Sequence, residues 1–139
     1  MNTQELMTLL PHRPPMLLVD EAHLTEDGTA IGSYTVRGDE FFLQGHFPGY
    51  PVVPGVILCE MIAQCSCVLL AEILANTTPY LTGIDKVRFR RKVIPGDTIT
   101  FQVSLTSSKP PFHFASGKAL VGSQLAVSAE LSVAVIKPT

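Results

Sequence analysis

Glu60 is the residue whose surroundings least explain it. Leaving His46 aside, it is the only formal charge between Glu40 and Glu72, and it falls in the second turn of a segment that otherwise reads as core. An ionised carboxylate buried there is costly unless it is partnered. Burial raises a carboxyl pKa and favours the protonated form, which suits a general acid at neutral pH. A carboxylate that reaches solvent, or caps a neighbouring backbone, fits the composition equally well.

Three other residues could act with it. His46 lies in Gly45-His46-Phe47-Pro48-Gly49, where small residues let other groups approach the backbone. A loop histidine is ordinarily a surface residue. Here, however, a rigid Pro/Gly loop carries it, and the following helix could turn Glu60 toward the same cavity. Gly55 opens that helix, so its N–H points outward with the positive end of the dipole behind it, a ready donor to an oxyanion. It could equally be a glycine that lets the helix start tightly after Pro54. Gln64 lies one helical turn beyond Glu60 and could hydrogen-bond it, or be a satisfied core amide.

Together these groups suit one reaction class. Removing a proton α to a thioester carbonyl builds an enolate, which needs an oxyanion donor. Expelling a β-hydroxyl as water needs an acid. One base, one acid and one N–H donor suffice, with no cofactor.

The elements that must position these groups follow from periodicity and turn residues. Thr3 to Leu10 reads as a short amphipathic helix stopped by Pro11. Met16 to Glu21 reads as a short apolar strand. After a turn at Glu26-Asp27-Gly28, Ala30 to Val36 alternates as a second strand. Gly38 to Pro54 is a loop held extended by Tyr50-Pro51 and Val53-Pro54. The long helix candidate runs from about Pro54 to Asn76 and is apolar nearly all round, so other elements must wrap it. Four strand-like runs complete the chain, at Tyr80 to Val93, Thr98 to Ser107, Phe112 to Val121 and Gln124 to Ile136. Short connections make the pairing mostly antiparallel. The expected fold is α+β, a curved antiparallel sheet of about six strands around one central helix. The 139 residues are expected to form a single domain, residues 1–139. Such a sheet leaves edges and a helix end uncovered, so a second copy is expected against it.

Composition narrows the function further. Hydrophobic residues make up 46% of the chain, enough for a core and an oligomer interface, and the net charge of -2 gives no general attraction to nucleic acid. No secretory signal is visible at MNTQELMTLL, and the apolar stretch from Val52 to Leu74 carries Glu60, Gln64 and Glu72, which suits a buried helix better than a membrane span. The chain reads as cytoplasmic. Cys59, Cys65 and Cys67 are odd in number and lie in one apolar segment, which argues for core packing rather than a disulfide or metal site.

Three segments carry a resemblance. LPHRPPMLLVD (Leu10 to Asp20), FFLQGHFPGYPVVPGVILCEMIAQ (Phe41 to Gln64) and IDKVRFRRKVIPGD (Ile84 to Asp97) resemble the 3-hydroxyacyl-[acyl-carrier-protein] dehydratases of the FabZ type, and the likeness extends through FASGKALVGSQLAVSAEL. The family's catalytic His falls on His46 and its catalytic Glu on Glu60, fourteen residues on. The resemblance implies a hotdog fold and dimers with a continuous sheet, three of them forming a hexamer. It implies a site shared between subunits, with His46 of one chain working with Glu60 of its partner. His46 would take the α-proton, Glu60 would protonate the departing hydroxyl, and the Gly55 N–H would hold the thioester oxygen. The product would be a trans-2-enoyl thioester on acyl carrier protein, the implied partner. Tyr80 aligns with an aromatic that gates the acyl tunnel in some members, though a Tyr opening a strand is ordinarily packing. Arg88, Arg90, Arg91 and Lys92 form a basic cluster that could dock the acidic carrier, or could be edge-strand charges that discourage aggregation. Regular alternation would put Arg88 and Arg90 on one face and Arg91 on the other, so a shared surface requires a bend.

The chain departs from the family pattern at Pro14-Pro15, where an aromatic usually follows the His-Arg pair, at Asp39, and at Cys65-Ser66-Cys67, where small residues are usual. The helix departures bear on acyl length. A hotdog thioesterase and a non-catalytic acyl-carrier-binding subunit are the alternative functions. A dehydratase that also isomerises its product is a third variant.

Overall fold

In the computed structural model, which describes residues 1–74 and 77–137, a sheet of six antiparallel strands curls around a single helix. The chain opens with α1 (Thr3–Leu9), whose first turn is closed by a capping box between Asn2 and Glu5. The strands are β1 (Glu21–Leu24), β2 (Thr29–Thr35), β3 (Thr78–Phe89), β4 (Thr98–Lys109), β5 (Phe112–Val121) and β6 (Gln124–Ile136), in the spatial order β1-β2-β4-β5-β6-β3. Helix α2 (Gly55–Ser66) runs on into a tighter 3-10 segment, Cys67–Ile73. This is the hotdog arrangement that the resemblance implied.

Alternation decides which face of the sheet meets the helix. Ile99, Phe101 and Val103 on β4 point inward and are fully buried. On β5 the inward positions are small, Ala115, Gly117 and Ala119, so α2 can approach closely. A Cβ at Gly117 would collide with Ile62, a fully buried residue of α2. The segment Gly55–Ile73 is long and apolar enough to cross a membrane by composition, but it is mostly buried inside this sheet as a core helix.

Two expected elements differ from those observed. Met16 to Glu21 is not a strand; pairing begins at Glu21, where that run ends. Leu17, Leu18 and Val19 are buried, but the Leu18 N–H goes to the side chain of Gln64 rather than to a neighbouring strand. Their apolar character serves packing on α2. The α-helical part of the long helix ends at Ser66, short of Asn76. Ser66 Oγ and Cys67 Sγ both donate to the Ala63 carbonyl and compete with the backbone ladder there. Asn76 lies outside the described residues, and Thr77 Oγ1 donates to the carbonyls of Ile73 and Leu74.

The other boundaries move little, except that β3 stops at Phe89 instead of running to Val93, because the chain bends there. β2 starts and ends one residue early, β4 extends to Lys109, and β5 and β6 match the expected runs. β3 begins at Thr78 and so includes Pro79, which an edge strand tolerates because one of its sides needs no ladder donors. That edge is apolar. Tyr80, Leu81, Ile84 and Phe89 all project exposed from β3.

Candidate active site

The loop bearing His46 is anchored before and after it. Phe42 and Leu43, in a 3-10 turn, are buried, and the His46 N–H donates to the Leu43 carbonyl. Gly45 and Gly49 take positive φ values of 81° and 73°, which lets the chain reverse twice in five residues. The His46 carbonyl then accepts the Val52 N–H at 2.9 Å, and the Val53 N–H reaches Val93 on the far side.

The histidine ring is held as firmly as its backbone. Nδ1 lies 2.9 Å from the Val52 carbonyl, and the ring stacks on Phe47 with centroids 4.2 Å apart. A carbonyl can only accept, so Nδ1 carries the hydrogen. In the neutral ring Nε2 is then the free lone pair, the atom a general base requires.

His46 lines a groove of about 500 Å³ together with Gly55, Leu58, Phe89 and the run Arg90 to Lys92. Gly55 starts α2 after Pro54, and no acceptor among the described residues takes its N–H. A Cβ on Gly55 would sit 2.7 Å from the Phe89 ring, so a larger residue there would have to displace that exposed ring. The basic residues reach this groove because the chain bends after β3. The N–H groups of Arg90 and Arg91 both point at the Ala126 carbonyl, which breaks the alternation. Arg91 is tied to Asp97 and Gln124, and Lys92 lies over the Tyr50 ring at 4.6 Å. Arg88, still within β3, is exposed and does not line the groove.

Glu60 opens elsewhere. It faces a crevice of about 30 Å³ lined by His12, Gln64, Cys67, Pro79, Leu81 and Val133. Gln64 is almost fully buried, donates Nε2–H to Glu60 Oε2 at 2.9 Å and to the Met16 carbonyl at 2.8 Å, and accepts the Leu18 N–H on Oε1. Burial pushes the Glu60 carboxyl up, as expected from sequence, but the hydrogen bond from Gln64 and the close approach of the His12 ring outweigh it. The net direction is below the usual carboxylate value, so in the folded chain the partners of Glu60 count for more than its burial. Tyr80 does not line this crevice; it projects from β3 between Pro79 and Leu81, which do.

Within one chain, then, the base candidate and the acid candidate line different cavities. Gly55 shares the groove of His46, and Gln64 shares the crevice of Glu60. His12 is the residue that sequence reasoning left without a role. Its Nε2 stands 3.5 Å from Glu60 Oε2, and only its place in LPHRPP hinted at it. The three cysteines are buried free thiols. Burial pushes Cys65 and Cys67 up to about 12, which leaves them inert as nucleophiles at neutral pH. Of the family departures in the helix, Cys67 lines the Glu60 crevice, whereas Cys65 packs toward Gly32 of β2.

A curled antiparallel sheet around one helix defines a hotdog-fold protein. The family model described as FabA-like domain matches residues 10–130. A 3-hydroxyacyl-[acyl-carrier-protein] dehydratase FabZ from Alkaliphilus metalliredigens is 40% identical over 99% of this chain and 96% of its own length. The protein of the same name from Pelotomaculum thermopropionicum is 41% identical over 97% of this chain and 99% of its own. The chain therefore belongs to the FabA-like family, in its FabZ-type 3-hydroxyacyl-[acyl-carrier-protein] dehydratase branch. Among solved structures, the dehydratase heterocomplex ApeI:P from Xenorhabdus doucetiae shares the fold with a TM-score of 0.80 at 22% identity, covering 96% of this chain and 91% of that one. A thioesterase superfamily protein, RHA08564, shares it at 0.59 and 20% identity, over 82% of this chain and 54% of that one.

Proposed function

We propose that this protein dehydrates 3-hydroxyacyl groups carried on acyl carrier protein to trans-2-enoyl groups in fatty acid biosynthesis, in a site built from two subunits. The observation that carries the shared site is the separation of His46 and Glu60 into different cavities, beside an exposed apolar edge at β3. A second copy paired along β3 would cover that edge and bring one chain's groove against the other's crevice. His46 Nε2 takes the α-proton, the Gly55 N–H receives the charge developing on the thioester oxygen, and Glu60 of the partner subunit gives a proton to the β-hydroxyl as it leaves. Atoms balance with the release of one water, and no electron carrier takes part.

The bend that gathers Arg90, Arg91 and Lys92 beside His46 supports carrier docking at the groove mouth, with Arg88 adding to the same positive field. Tyr80 would gate the acyl chain once a partner covers the edge, a reading supported by its exposure on β3 next to two crevice residues. The enzyme works in the cytoplasm as a trimer of such dimers.

The test is to incubate the protein with trans-2-butenoyl and trans-2-octenoyl acyl carrier protein and follow mass. Gain of one water with the thioester intact, lost in His46→Ala, is the expected result. Release of the free acid would replace this reading with a thioesterase, and an unchanged carrier with both substrates would favour a binding subunit.

A further inference from the structure

The Glu60 crevice contains a histidine with an incomplete set of partners. His12 Nε2 faces Glu60 Oε2 at 3.5 Å, while His12 Nδ1 is buried and has no hydrogen-bond partner among the described residues. Gln64 donates to the same carboxylate oxygen at 2.9 Å. Both groups therefore act on Oε2, and Oε1 accepts no hydrogen bond from any described residue.

We propose that His12 is a positioning residue that joins Gln64 in holding Glu60 Oε2, so that Oε1 is the oxygen that exchanges a proton with the substrate. The proposal rests on the dehydratase reading above. Proton inventory sets the direction of the contact. A neutral ring with its hydrogen on Nδ1 would bury an unpaired donor and turn the Nε2 lone pair against a carboxylate. The ring therefore carries its hydrogen on Nε2 and donates toward Oε2, leaving Nδ1 as a lone pair. Gln64 cannot do this alone, because its amide is also committed to Met16 and Leu18.

During dehydration the Glu60 Oε1–H bond breaks as the proton passes to the leaving oxygen, and the Cβ–O bond breaks with it. The α-proton goes to His46 of the partner subunit. His12 keeps its own proton throughout and stabilises the carboxylate that forms. In hydration the same contact favours the ionised Glu60 that accepts a proton from water. Among the described residues, the titratable groups facing Glu60 are His12 from the N-terminal segment and Cys67 from the helix. Gln64 on α2, Pro79 and Leu81 on β3 and Val133 on β6 carry no charge. In the assembled site the partner's His46 joins them.

The experiment reads hydration of trans-2-butenoyl acyl carrier protein against pH, with kcat and KM separated, for His12→Phe, His12→Asn and His12→Gln. Phe cannot donate, Asn is too short to reach Oε2, and the Gln Nε2 falls near that of the histidine. Loss of the donor is expected to lower kcat about ten- to a hundredfold with KM changed less than about twofold. The acid limb of kcat should move to higher pH by about one unit, because less of Glu60 is ionised, which costs about a further tenfold below that limb. His12→Gln should recover most of the rate and return the limb. A limb that stays in place in whichever of His12→Phe and His12→Asn folds, or a loss that His12→Gln fails to repair, would overturn the proposal. Glu60→Gln is measured alongside: if it keeps full activity, the acid role of Glu60 itself fails, an outcome separate from a failure of His12.

Discussion

Gln64 donates its Nε2–H to Glu60 Oε2 across 2.9 Å, one helical turn away, and the same amide accepts the Leu18 N–H on its other end. One side chain thus fastens the segment leading into β1 to the helix and orients the carboxylate. Gln64→Leu keeps the volume but leaves the Leu18 N–H and the Met16 carbonyl without partners. The expected cost is about 2 kcal/mol in stability, read by urea denaturation, together with a fall in kcat of about tenfold or more in the same folded protein. A stable and fully active variant would mean that Gln64 is only a filler of the core.

Subunit mixing tests where the acid comes from. His46→Ala and Glu60→Gln homo-oligomers should each be nearly inactive. After exchange of subunits, a mixed dimer would carry one site with both changes and one with neither, so activity should return toward about a quarter of wild type for random pairing, given closed two-fold symmetry. No recovery despite exchange, demonstrated by native mass spectrometry, would place both residues in the same chain's site.

Glu40 should make the protein sensitive to acid. It is buried and accepts hydrogen bonds from the Tyr34 hydroxyl at 2.7 Å and from the N–H groups of Arg37 and Gly38. Burial pushes its carboxyl up, but these donors outweigh burial and hold it below the ordinary glutamate value. The folded state therefore binds this proton less readily than the unfolded chain. Its contribution is complete above about pH 5 and is lost as pH falls through the ordinary value of ~4.3 toward the lower folded one. Urea midpoints measured from pH 7 down to pH 3 should fall less steeply in Glu40→Gln than in wild type, although the variant starts from a lower stability at pH 7. Parallel slopes would remove Glu40 as the cause.

Gly117 should tolerate no larger side chain while Ile62 is present. Gly117→Val would push into Ile62 and Val103 and is expected to cost about 2–3 kcal/mol by overpacking. Pairing it with Ile62→Ala should give a double variant more stable than the sum of the two single losses, because the new methyls enter the space vacated. Additive losses in a denaturation series would argue that the helix does not seat on β5 at this position.

Much of the fold was legible because it is periodic. Strands β4 to β6 alternate on a period of two, and each run is bounded by turn residues such as Pro95-Gly96-Asp97 or Gly122-Ser123, so local rules sufficed. The apolar run at Leu17 to Val19 misled because burial on a helix and burial in a sheet select the same residues. Only the hydrogen-bond partner separates the two, and here it is a side chain from α2. The helix was legible in extent but not in kind, since the change to 3-10 geometry depends on hydroxyl and thiol groups competing for one carbonyl.

By itself the sequence determined the central helix, the curled antiparallel sheet and the placement of His46, Gly55, Glu60 and Gln64 at a fixed spacing around the helix start, because each follows from residues near one another in the chain. Tertiary structure alone decided which nitrogen of His46 is free, that His46 and Glu60 line different cavities of one subunit, and that the Glu60 carboxyl is drawn below its ordinary value despite burial. Those outcomes depend on contacts that only folding makes, the Val52 carbonyl accepting from one residue and His12 approaching the other, and on which surfaces remain uncovered when a single sheet closes around its helix.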